Sequence, residues 1–160
     1  MIILGIDPGS VRIGYGAIRQ EKNQLFYLKS GLLNFPSHPA EQRLLAVQKS
    51  FKKLLREIRP DLIGLEKIYF VKNQKTGLEV AQSRGIIIAA ILEQKIPFIE
   101  MTPPEIKKAL TGDGRADKKG VAKMVSFFLH LNKNQIPKID DITDALAIAI
   151  SSSYKNIKLT

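Results

Sequence analysis

The spacing of apolar positions changes period several times along the chain, and the changes mark its elements. Met1-Ile-Ile-Leu-Gly-Ile-Asp7 is a β-branched run halted by Asp-Pro-Gly, which predicts a buried strand and a turn. Arg12 to Arg19 alternates loosely and Gln24 to Phe35 reads as a third strand, with Asn23 as turn chemistry between them. Connections this short predict an antiparallel meander. From Pro39 to Ile58 the period lengthens. Leu44, Val47, Phe51, Leu54, Leu55 and Ile58 recur at steps of three and four, an amphipathic helix closed by Pro60.

Asp61 to Glu66 is a short buried strand ending in an acid, and a second helix is predicted from Thr76 to Gln94. Its stretch Ile86 to Leu92 is apolar on nearly every face, so it belongs to deep core or lies under a partner. Ile96 to Met101 reads as a fifth strand. Pro103 and Pro104 open a helix that runs through Leu110. A Gly- and charge-rich loop follows from Gly112 to Asp117, then a helix to about Leu131 and a last helix from near Asp140. The order predicts an α/β domain spanning residues 1–160, with one mixed five-stranded sheet flanked by helices on both faces and a short tail at the end.

Composition adds one clue to function. The chain has 160 residues and no cysteine, which excludes a disulfide framework and a thiolate zinc site. The first apolar run is too short for a signal peptide, and no stretch reaches the roughly 20 residues of a membrane span. A soluble cytoplasmic protein is expected. Twenty-five basic against fifteen acidic residues give a net charge of +10, a field that attracts polyanions, nucleic acid foremost.

Against that basic background, carboxylates stand at the ends of two buried strands, Asp7 and Glu66. Burying a charge is costly unless it is paired or bound to metal. Each has an ordinary explanation: Asp7 forms the turn in Asp-Pro-Gly, and Glu66 is a strand end paired with a lysine. Asp140-Asp-Ile-Thr-Asp144 opens the last helix, where residues three apart share a face, so Asp141 and Asp144 can aim at one cation. Capping explains one or two of these acids, but neither Asp7 nor Glu66. Four clustered carboxylates need divalent cations, and all-oxygen ligation suits Mg²⁺ or Mn²⁺. Neither His38 nor His130 lies near these motifs. Metal-assisted hydrolysis of a phosphodiester is the chemistry predicted.

These motifs are familiar as a set. Ile3-Leu-Gly-Ile-Asp-Pro-Gly-Ser10 with Gly14-Tyr-Gly16 resembles the opening of the RuvC Holliday junction resolvases. Leu65-Glu-Lys67, Lys72-Asn73 and Gln82-Ser-Arg-Gly85 resemble the family's second motif, and Asp141-Ile-Thr-Asp144-Ala-Leu-Ala-Ile-Ala149 its last. The likeness runs in order from about Met1 to Ser151.

The resemblance implies an RNase H-like fold and a homodimer, with Ile86–Leu92 at its interface. It implies Mg²⁺-dependent symmetric cleavage of four-way DNA junctions, leaving ligatable 5′-phosphate and 3′-hydroxyl ends. Asp7, Glu66, Asp141 and Asp144 fall at the family's catalytic, metal-holding positions, two Mg²⁺ per site with Mn²⁺ able to substitute; Asp140 doubles an acid and leaves Asp140 or Asp141 as the ligand. Tyr69 falls where the family stacks an aromatic ring on unpaired bases, or else caps the core at a strand end. Lys107 and Lys118 match basic residues along the family's DNA path. Arg115 and Lys119 belong to the same basic run, which is either a phosphate contact or a solvated helix face. A branch-migration motor complex, RuvA and RuvB, is implied as partner. The alternatives are an actin-like kinase, which shares Gly-Ile-Asp-x-Gly, an RNase H-like nuclease acting on ribosomal RNA precursors, and a junction binder without catalysis.

Overall fold

The computed structural model describes residues 1–35, 39–67, 74–132, 135, 137–157. The strands are β1 (Ile2–Pro8), β2 (Arg12–Glu21), β3 (Gln24–Asn34), β4 (Leu62–Glu66) and β5 (Phe98–Met101). The helices are α1 (Ala40–Ile58), α2 (Gln74–Glu93), α3 (Pro103–Thr111), α4 (Lys118–Phe128) and α5 (Asp140–Ile157). One sheet orders the strands β3-β2-β1-β4-β5. β1, β2 and β3 form the antiparallel meander, and β1, β4 and β5 run parallel. This is the mixed sheet the pattern predicts.

Several details differ from expectation: β5 begins at Phe98 and not Ile96, and α2 spans Gln74–Glu93 and not Thr76 to Gln94. In the two-residue turn between β2 and β3 the left-handed residue is Lys22 (φ 53°), beside Asn23. The helix expected to reach Leu131 ends at Phe128, and His130 turns left-handed with φ 52°. Leu129 and Leu131 still face the core beyond that turn, so the apolar signal outlasts the helix. The helix stop at Pro60 and the start at Pro103 fall as predicted, through caps that the proline signals do not specify. Thr102 and Glu105 form a reciprocal capping box before Pro103 and Pro104, and Arg59 closes α1 left-handed ahead of Pro60.

The sheet separates two apolar layers. Leu4, Ile6, Ile13, Ala17, Ile63 and Leu65 face α1 and α2. Ile3, Ile18, Leu62 and Met101 face α3, α4 and α5. Strand side chains alternate faces, so Asp7, two and four residues past Gly5 and Ile3, lies on the α5 side. Glu66 is related in the same way to Leu62. Glycines on this face let α5 lie directly on the strands. A Cβ on Gly5 would stand 2.0 Å from the Ala145 carbonyl oxygen, and one on Gly14 would stand 2.1 Å from that of Asp141. The close approach brings the first turn of α5 to the strand ends that carry acids.

Candidate active site

Asp7 and Glu66 leave neighbouring parallel strands one residue past the paired Ile6 and Leu65. Their carboxyls share a hydrogen bond. Burial, the first cause, and repulsion from Glu66, Asp144 and Asp141 push Asp7 up to about 8. Burial raises Glu66, an effect the bond from Asp7 opposes, and burial likewise raises Asp144 against the pull of Lys118. Four acids from β1, β4 and α5 thus lie in one another's fields. Among the described residues no three stand close enough to grip one ion as they lie. Asp141 is turned to Arg12 (Nε to Oδ2, 2.9 Å) and Lys118 stands 3.9 Å from Asp144. An ion would have to take these two carboxylates from their cations. The donor set fits Mg²⁺ or Mn²⁺: all oxygen, partly buried, and too mutually repulsive to ionise together without added positive charge.

The first turn of α5 settles where its acids point. Asp140 is two-thirds exposed and receives Lys118 at 2.9 Å, while Asp141 faces Arg12 and contributes to the field at Asp7. These acids therefore engage side-chain cations. Of the two, Asp141 is the one whose charge acts on Asp7.

Two clefts flank the cluster. One, of about 200 Å³, is lined by Glu66 and Asp144 together with Lys107 and Lys118. The other, of about 250 Å³, is lined by Asp7 and Asp141 with Arg12 and the Pro8–Val11 turn. Of the basic residues expected on a DNA path, Lys107 and Lys118 are therefore at the site, whereas the exposed Arg115 and Lys119 line neither cleft. Tyr69 and Lys72-Asn73 lie outside the described residues.

The chain matches the family described as crossover junction endodeoxyribonuclease RuvC over residues 3–152. It belongs to the RuvC family. A crossover junction endodeoxyribonuclease RuvC of Clostridioides difficile is 40% identical over 157 residues, covering 98% of this chain and 92% of the relative. The structure of Thermus thermophilus RuvC superposes with a TM-score of 0.89 at 28% identity, covering 100% of this chain and 98% of the other. The same RuvC in complex with a Holliday junction substrate gives 0.90 at 28% identity, covering 99% and 96%. RuvC membership agrees with the expected mixed-sheet fold and with a nuclease rather than a kinase.

Two arginines at the site carry no role in the sequence reading. Arg12 pairs with Asp141. Arg84, within the second motif, reaches from α2 to the Glu66 carbonyl (Nε to O, 3.4 Å) and pairs with Glu100 on β5. It fastens the strand end that carries Glu66. Arg84 is visible in the motif Gln82-Ser-Arg-Gly85, but the pairing of Arg12 depends on where α5 packs and has no linear signal.

Proposed function

We infer that this chain is a junction-resolving endonuclease that nicks two equivalent strands of a four-way DNA junction by metal-dependent phosphodiester hydrolysis. The observation that carries the reading is the convergence of Asp7, Glu66, Asp141 and Asp144 from three elements in a RuvC chain. These four residues would hold two Mg²⁺ ions, for which Mn²⁺ could substitute. The chemistry such ions supply when bound is activation of the attacking water and stabilisation of the leaving oxygen. Asp7, in the field of the other three acids, is the central ligand, and its carboxyl must give up a proton before it can act. Lys107 and Lys118, in the cleft beside Glu66 and Asp144, hold the DNA backbone next to the acids. Tyr69 keeps its stacking role on the motif alone, and Arg115 and Lys119 are left as outlying phosphate contacts.

Two active sites need two chains. On α2, Ile87, Ala90 and Ile91 are buried against the sheet, while Leu78, Gly85, Ala89 and Leu92, at steps of seven, four and three, form an exposed stripe along one face. We assign this stripe to the interface of a homodimer, as a junction of twofold symmetry requires. The branch-migration motor complex remains the expected partner in the cytoplasm. No described helix is long and apolar enough to cross a membrane.

The test is cleavage of a synthetic mobile four-way junction beside a linear duplex of the same sequence. Paired nicks on the junction alone, with Mg²⁺ and lost with EDTA or Asp7→Asn, are expected. Tight junction binding without cutting in any divalent metal would leave a binding protein and remove the catalytic roles.

A further inference from the structure

The two clefts beside the acids are built alike: each pairs acids of the cluster with a cation on its wall. In one the cations are Lys107 and Lys118. In the other the cation is Arg12, and the proposed function gives it no task. We propose that Arg12 is a DNA-backbone contact on the side of the acidic cluster opposite Lys118, restrained by Asp141 and released to a phosphate when that carboxylate is neutralised. The inference rests on the reading of this site as a junction nuclease.

The backbone holds Arg12 rigidly, and the side chain is free to move. It is the first residue of β2, its carbonyl packs where a Cβ on Gly9 would come within 2.1 Å, and the Val11 carbonyl beside it accepts from the Phe35 amide at 2.8 Å. The side chain itself is 51% exposed. It meets Asp141 through Nε, and its terminal amines face no other acid among the described residues. A half-exposed ion pair of this kind is weak, so a divalent cation taken up by Asp141 is enough to part it. A guanidinium then stands at the wall of a cleft that also holds Asp7, with a planar fork suited to phosphate oxygens. A strand crossing the acids would meet Lys107 and Lys118 before the scissile bond and Arg12 after it, or the reverse.

The test measures the salt dependence of binding to a synthetic four-way junction by fluorescence anisotropy in EDTA, where no cutting occurs. Each phosphate contact adds about 0.9 to the slope of log affinity against log salt. Arg12→Gln in the otherwise native chain should lower the slope by clearly less than about 0.9, because Asp141 competes with the phosphate for the arginine. In an Asp141→Asn chain the same Arg12→Gln change should lower the slope by about 0.9, and Arg12→Lys should keep it. Equal slopes for Asp141→Asn with and without Arg12→Gln would overturn the contact. An equal loss of slope in the chain that keeps Asp141 would overturn the restraint. Failure of the native chain to prefer the junction over linear duplex is a different result, and it would remove the functional reading itself.

Discussion

Asp7 is held at about 8 against an ordinary 3.8, so between those values the folded chain keeps a proton there that the unfolded chain has released. For an acid raised by folding, stability falls as pH rises through that window, and the penalty is complete above about pH 8. Replacing the carboxyl with an amide removes the penalty. In EDTA at pH 9, Asp7→Asn should melt clearly above the native chain, by several degrees, since each 1 kcal/mol of penalty removed moves a domain of this size by about 2–4 °C. The difference should shrink as pH falls and close only below about pH 4, where the unfolded carboxyl is protonated as well. The same variant should cut nothing, so it gains stability as it loses chemistry. In the native chain, cleavage at limiting Mg²⁺ should rise about tenfold per pH unit below 8 and level above it, because the ion has to displace that proton. Thermal melts across pH, read beside the rate profile, check both halves; a native chain whose melting is flat from pH 5 to 9 would contradict the proposed burial of charge. The candidate acids were legible because a charge ending an apolar run is expensive and conspicuous. Arg12 was not, since an arginine opening a strand looks like any surface cation until α5 sets Asp141 beside it.

At the scale of elements, α5 carries half of the acids, and what positions it is the absence of side chains beneath it. Gly5 and Gly14 meet it at different places: Gly5 under Ala145 and Ala149, in the middle of the core, and Gly14 under Asp141 at the site. Their alanine variants should therefore separate packing from chemistry. Gly5→Ala forces the helix off the sheet and should cost about 1–3 kcal/mol, the usual range for overpacking. Gly14→Ala displaces mainly the first turn, which can fray, so its melting point should fall less while its turnover falls by about tenfold or more, as a 1 Å misplacement can cost. Melting temperature and single-turnover cutting, measured on both, give the comparison. If the two lose stability and turnover in the same ratio, α5 does not position the acids in the way argued. The elements themselves were readable from period and punctuation: the strand run before Asp-Pro-Gly, the period-three-and-four face of α1, the prolines opening α3. Their faces were less so. That Asp7 and Glu66 project to the same side follows only once β1 and β4 are known to be adjacent and parallel. The end of α4 was misplaced because Leu129 and Leu131 stay in the core after the chain has left the helix.

For the whole molecule, the unresolved alternative in the sequence was α2, whose run from Ile86 to Leu92 suits deep core or a covered interface. The fold buries one part of the run and leaves another open. Ile87 and Ile91 are fully buried within the chain, whereas Leu92 is 60% exposed and Leu78 63% exposed on the other side of the helix. Apolar residues open to water at both ends of a stripe whose middle is Gly85 and Ala89 leave a surface that a second helix can approach closely, since nothing stands within 4 Å of where a Gly85 Cβ would be. Leu92 is also next to Glu93, which pairs with Lys52 of α1 at 2.6 Å, so the stripe has a charged border on one side. Leu92→Glu places a charge inside that border without touching the core or either cleft. The variant should sediment as a monomer at micromolar concentration and melt by circular dichroism with its secondary structure intact. On a four-way junction it should still nick, because each set of four acids lies within one chain. The two nicks should become independent, so that singly cut junctions accumulate where the native protein releases paired products. Should the monomer cut both strands together, the coupling of the two incisions would belong to the junction and not to the symmetry of the protein.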